Sequence, residues 1–235
     1  MPPVRGGNAG VTNSPAVQGI KIGEGLWKTI TEGVTGFKIY VPDLVLQEVG
    51  GIAMIKVENQ PTALGFRLKL ENGRITEAHH VLVKISDPAA LAYLTTPRPE
   101  FIATVPPADR LSRDALRALA YSSYDAKQQN VRPLPLTVDC VRRENGMPVS
   151  SCGAPLTTSQ VSYIDGLSLG RFGIADPESG LVFTLTYNFP SGGLGAFIPL
   201  TFGTAHINKV QGNGIHAVEA IGVGGTPRAW NEFTR

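Results

Sequence analysis

The chain has 235 residues, 42% of them hydrophobic and 17% charged, below the charged share of about 25% found in ordinary globular proteins, so disorder is excluded. Its 21 basic and 19 acidic residues leave a formal charge of +2 with no basic block, which argues against nucleic-acid partners and a polybasic membrane anchor. The 27 glycines and 18 prolines point instead to many turns between short strands.

Met1–Gly25 reads as an extended arm with a strand at Gly19–Ile22. Met1–Gly10 holds one arginine and no apolar stretch of the secretory-signal kind, so a cytoplasmic location is expected. No apolar run approaches the roughly 18 residues that cross a bilayer, and no membrane association is expected. Strands are predicted at Phe37–Val41, Ile52–Glu58, Ala63–Leu70 and Ile75–Lys84. Glu71-Asn72-Gly73-Arg74 joins the last two as a hairpin, because Asn-Gly accepts the positive φ angles of a tight turn. Pro88–Pro107 is proline-punctuated, with one helical turn at Pro88–Tyr93. Ser112 then offers an N-cap and Asp114 a favourable first-turn charge, while Leu116, Leu119, Ala120, Ser123 and Tyr124 share one face, which predicts a helix over Ser112–Gln129. Strand signals resume at Val161–Leu169, Arg171–Ala175, Leu181–Phe189, Phe197–Val210 and Ile215–Val223.

An internal echo organises these pieces. Lys69-Leu70-Glu71-Asn72-Gly73-Arg74-Ile75 lies without a gap on Lys209-Val210-Gln211-Gly212-Asn213-Gly214-Ile215, and His79 then falls on Glu219. Tyr40-Val41-Pro42-Asp43 more weakly echoes Ile174-Ala175-Asp176-Pro177. The expected organisation is a first β-meander over 1–87, a proline-rich linker over 88–110, a second copy made of a helix and a curved sheet over 111–224, and a tail over 225–235.

A helix followed by a curved antiparallel sheet that ends in such a hairpin resembles the nuclear transport factor 2-like superfamily, with its SnoaL-type cyclases, ketosteroid isomerase and scytalone dehydratase. The matching stretches are Phe66–Val83, Arg110–Ala126 and Ala205–Val223. The resemblance implies an α+β fold of tandem cone-shaped, strongly curved antiparallel sheets, with one long helix on the second copy and none opening the first. It also implies an oligomer, since open sheets leave faces and edges to cover. The implied activity is that of a cofactor-independent lyase, dehydratase or isomerase acting on a hydrophobic, aromatic or polyketide-like small molecule. The other expectation is a non-catalytic small-molecule-binding or assembly module of the same fold.

The familiar cofactor and nucleophile motifs are absent, so neither cofactor nor metal is expected. His79 and His80 are consecutive in a strand and point to opposite faces; one of them faces the cone as a general base, or each is a half-exposed strand histidine. Glu219 is a second acid/base or a charge on the solvent face. The resemblance gives Tyr124, with Tyr121 close by, the role of hydrogen-bond donor to an oxyanion; the other reading is packing on the helix face. Asp139, Arg142, Arg143 and Glu144 form the densest charged cluster, read either as a solvated turn or as substrate-anchoring arginines beside a carboxylate that sets a proton-transfer pKa. Trp27, Phe183 and Tyr187 either wall a pocket or belong to the core. Cys140 and Cys152 flank the same turn, as a disulfide or as two reduced thiols.

Overall fold

The computed structural model describes residues 19–20, 25–119, 135–149, 152, 168–188, 201–212, 214–225 and 233–234. It is of α+β class, mostly strands with few helices, and its antiparallel sheet is strongly curled. The first sheet is built from β1 (Gly19–Ile20), β2 (Ile30–Glu32), β3 (Lys38–Asp43), β4 (Glu48–Val57), β5 (Gln60–Glu71), β6 (Arg74–Lys84) and β13 (Phe233–Thr234). Its order is β1-β13-β6-β5-β4-β2, with β3 also on β4. The second holds β7 (Leu136–Glu144), β8 (Met147–Pro148), β9 (Ser168–Asp176), β10 (Leu181–Asn188), β11 (Thr201–Gln211) and β12 (Gly214–Gly225) in the order β8-β7-β12-β11-β10-β9. Within it β7 runs parallel to β12 and the other pairs are antiparallel.

Among the described residues, α-helices accompany the sheets at α1 (Leu26–Thr29), α2 (Pro88–Tyr93) and α3 (described over 113–119). Asp87 caps α2 by accepting from the Ala89 N–H at 2.8 Å, and Pro88 supplies a pre-set φ at its first position. Helix α3 starts where Ser112 was expected to cap it, the Ser112 hydroxyl accepting from the Ala115 N–H at 3.3 Å. Its expected continuation to Gln129 lies outside the described residues, as do residues 161–167 and 197–200 of the predicted strands. No helix among the described residues is long and apolar enough to cross a membrane.

The hairpins β5–β6 and β11–β12 agree in register down to an irregularity. Lys69 pairs with Glu77 and Leu70 with Ile75, with a one-residue slip between them; Lys209 pairs with Ala217 and Val210 with Ile215, with the same slip. The turns before them also agree. Asp43 accepts from the N–H groups of Val45 and Leu46, and Asp176 from those of Glu178 and Ser179. Gln47 and Gly180 both take positive φ, and their carbonyls accept from Leu70 and Val210, each at 2.8 Å. Strand register thus places Asp43 on Asp176, one residue away from the expected match of Asp43 with Pro177.

The two sheets face each other across one core. Ile52, Met54, Val81 and Val83 of the first pack with Ile174, Phe183, Leu185 and Ile207 of the second. Counted from the hairpins, Gly50 corresponds to Phe183 and Gly65 to Ala205, and each faces its own counterpart. A Cβ on Gly50 would lie 2.2 Å from the Phe183 ring, and one on Gly65 would lie 2.4 Å from the Ala205 Cβ. Glycine is therefore required at both positions for the sheets to approach. The proline-rich stretch joins this core too, through Ala90, Leu94 and Phe101.

Candidate functional site

On β11 the odd-numbered Ala205 and Ile207 belong to the shared core, so Thr204, His206 and Asn208 project from the opposite face. That face is covered by α3: Leu116 and Leu119 pack with Val182, Val210, Val218 and Ala220 in a second apolar cluster. Thr184, Thr204, His206 and Asn208 are all buried there. Each row of the sheet sets these polar groups beside small residues. Thr184 lies between Gly173 and His206, His206 is opposite Ala220, and Thr204 is opposite Gly222. Ala220 then pairs with Glu144 on β7, which puts Glu144 two strands from His206, about 10 Å away. In the next row Asn208 pairs with Val218, and Val218 with Arg142. Burying polar groups in a sheet interior is costly unless they are hydrogen-bonded, and a core needs none of them. A few such polar groups on a floor of small residues, beside an apolar cluster, are the makings of a small-molecule site.

The same face of the first sheet is built differently. The places of Thr204, His206 and Asn208 are taken by Leu64, Phe66 and Leu68, and that of Gly173 by Tyr40, whose ring meets Phe66 edge-on at 5.9 Å. Apart from His80, which takes the place of Ala220, bulk and apolarity there replace small residues and polarity.

Of the residues singled out in the sequence, Arg142 lies at the second site. It is buried beside Cys140 and Cys152, ion-paired with Glu144, and donates to the Cys152 carbonyl at 3.5 Å. Cys140 and Cys152 form a disulfide. Arg143, next in the strand, points the other way and stacks over Tyr93 at 4.5 Å. Asp139 is exposed at the sheet edge, 3.9 Å from His216; the Thr137 hydroxyl bonded to it is the main influence holding its carboxyl below the usual range. Trp27 is exposed on α1. Phe183 sits in the shared core against Gly50. Tyr121, Tyr124 and the Tyr187 side chain lie outside the described residues.

His79 faces the shared core, in a network with Glu48, Arg67 and Glu77. Glu77 accepts from His79 at 2.7 Å and pairs with Arg67 at 3.0 Å, and Arg67 also pairs with Glu48. The hydrogen bond from His79 is the largest influence that lowers the Glu77 carboxyl, to about 2. His80 projects from the other face of the first sheet, where burial, then the charge of His79, pushes its imidazole down to about 4. Glu219 occupies the counterpart of His79, on the shared-core side. It pairs with Arg98 at 3.3 Å, while Arg98 donates to the Val218 carbonyl at 2.8 Å and the Val141 carbonyl at 3.3 Å. Burial pushes Glu219 up to about 7 despite that arginine. Among the described residues, the expected acid/base groups His79, His80, Asp139 and Glu219 thus stand apart from the His206 stripe.

The Glu219 shift fixes a pH dependence. Its folded pKa lies above the ordinary value of 4.5, so its stabilising contribution is full below pH 4.5 and is lost as pH rises through about 7. Glu219→Gln is expected to flatten the stability profile between pH 4.5 and 7, measured by urea unfolding at several pH values. A slope unchanged from wild type would contradict this placement of Glu219.

Residues 109–222 match a family model described as a domain of unknown function, DUF8021. No curated protein and no solved structure matches the chain. The matched segment takes in α3, Arg142, Glu144 and the whole His206 stripe, and none of the first sheet. Among the described residues no group of three or more His, Cys, Asp or Glu side chains is gathered to hold a metal. Sequence reasoning passed over Thr184, Thr204, His206 and Asn208. The signal was present in Thr204-Ala205-His206-Ile207-Asn208, where polar and apolar residues alternate in a strand that has both faces covered.

Proposed function

We propose that the α3-covered face of the second sheet is the cone of a nuclear transport factor 2-like fold, built as two tandem copies, and that it holds a neutral small molecule for cofactor-independent proton transfer. The observation that carries this reading is the buried Thr204-His206-Asn208 stripe on a floor of Gly173, Ala220 and Gly222. The reaction class is that of a lyase, dehydratase or isomerase acting on a hydrophobic, aromatic or polyketide-like compound. His206 takes the place first expected of His79 or His80, because His79 is committed to the shared core.

In this mechanism the His206 imidazole removes a proton from a carbon acid or hydroxyl, chemistry suited to a group whose ordinary pKa is near neutrality. Thr184, directly opposite, and Asn208, next on the same face, orient the substrate by hydrogen bonds. Arg142, held by Glu144, stabilises oxygen charge as it develops. The Arg142–Glu144 pair is neutral overall, which suits an uncharged substrate. The disulfide favours an oxidising compartment over the cytoplasmic location expected from the N-terminal sequence.

Incubating the protein in D2O with a panel of aromatic and polyketide-like ketones and alcohols tests the reading. Deuterium is expected to enter the carbon acid that the enzyme accepts, and His206→Gln is expected to slow that exchange by about 100-fold or more. Exchange at the wild-type rate in His206→Gln would remove His206 as the base. Binding without exchange would assign the cone to the non-catalytic small-molecule-binding module.

A further inference from the structure

Arg142 is nearly fully buried. Its main chain is fixed by β7, and its carbonyl accepts from the Val149 N–H at 3.0 Å just after the two-residue β8. Its guanidinium meets the Glu144 carboxylate and, at 3.5 Å, the carbonyl of Cys152. Cys140 stands two residues before Arg142 on the same strand, so both side chains leave β7 on the α3-covered face. The disulfide therefore joins the strand that carries Arg142 to the residue whose carbonyl receives it, with Cys152 packed in one apolar cluster with Leu116 of α3. Cys140 is only half-buried, which leaves the bond open to a small reductant.

We infer that the Cys140–Cys152 disulfide positions Arg142, and that the candidate site is assembled only in the oxidised chain. The inference rests on the reading of this face as the substrate cone and adds its regulation. Reduction by a dithiol breaks the Sγ–Sγ bond, delivers one electron and one proton to each sulfur, and oxidises the dithiol to its own disulfide. Cys152 then leaves β7, its carbonyl withdraws from Arg142, and the guanidinium becomes reachable by solvent. Arg98, also buried but clamped on the opposite face by the Val218 and Val141 carbonyls and Glu219, is untouched by the change.

The test uses the full chain with phenylglyoxal, which modifies accessible arginines, before and after treatment with dithiothreitol; the modified residues are read by peptide mass mapping. The oxidised protein is expected to protect both Arg142 and Arg98. The reduced protein, with both thiols alkylated, is expected to expose Arg142 at least 10-fold faster while Arg98 stays protected. The double variant Cys140→Ala/Cys152→Ala is expected to reproduce the reduced pattern without reductant. Protection of Arg142 after full reduction would overturn the inference, and so would simultaneous exposure of Arg142 and Arg98, since that is loss of the fold rather than release of one side chain. The readout does not use turnover, so a failure of the proposed chemistry and a failure of this inference are told apart.

Discussion

Replacing Phe183 by Ala is expected to destabilise the protein by about 4 kcal/mol, near the top of the range for a large buried aromatic residue. The ring is fully buried at the centre of the shared core and lies against Gly50, its counterpart in the first sheet. A cavity left there has a main chain on one side and no side chain that could swing in to fill it. The lost transfer free energy and the cavity penalty therefore combine in full. Urea unfolding measures the effect, and a loss below about 1 kcal/mol would mean that the sheets are not held together at this point.

The second large effect is expected at Arg98. Its guanidinium closes three contacts on the shared-core side of the second sheet, to the carbonyls of Val218 and Val141 and to the Glu219 carboxylate, and it also stacks over Phe101 at 4.7 Å. Arg98→Ala leaves buried carbonyls without donors and a buried carboxylate without its cation, at a cost of about 3–5 kcal/mol. The penalty depends on pH. At pH 8 Glu219 is charged and the full loss appears; at pH 5, below its folded pKa of about 7, the carboxyl is protonated and the loss shrinks. An equal penalty at both pH values would contradict the coupling. Through Arg98, the proline-punctuated stretch becomes a strap fastened to β7 and β12 rather than a free linker.

What the sequence made legible was local. Asn72-Gly73 announced its hairpin because both residues must accept positive φ, as they do at 52° and 73°. Ser112 announced α3 because a side-chain oxygen is needed to receive the first free N–H groups. The echo between Lys69–Ile75 and Lys209–Ile215 was legible to the residue, since a shared bulge leaves a shared spacing of apolar positions. Which face of each strand meets which partner was not legible. Alternation separates His79 from His80, but it cannot say that the side of His79 is turned toward another sheet. That ambiguity left Phe183 between pocket wall and core, and Glu219 between an acid/base and a solvent-face charge; both stand on the shared-core side. Arg98 lies 121 residues from Glu219, and nothing local in either segment reports the pairing. The His206 stripe was within reach of the sequence once both faces of β11 were known to be covered, which only the packing of the two sheets shows.

The account stands or falls on the second sheet's α3-covered face, and its histidines allow that face to be watched directly. The chain has four, His79, His80, His206 and His216, which stand on two sheets and four different surroundings. With imidazole-labelled protein, a ketone or alcohol that binds is expected to shift the His206 ring resonances and leave those of His79 and His80 in place. A bound compound that moves His79 or His80 while His206 stays unchanged would contradict the assignment of the site.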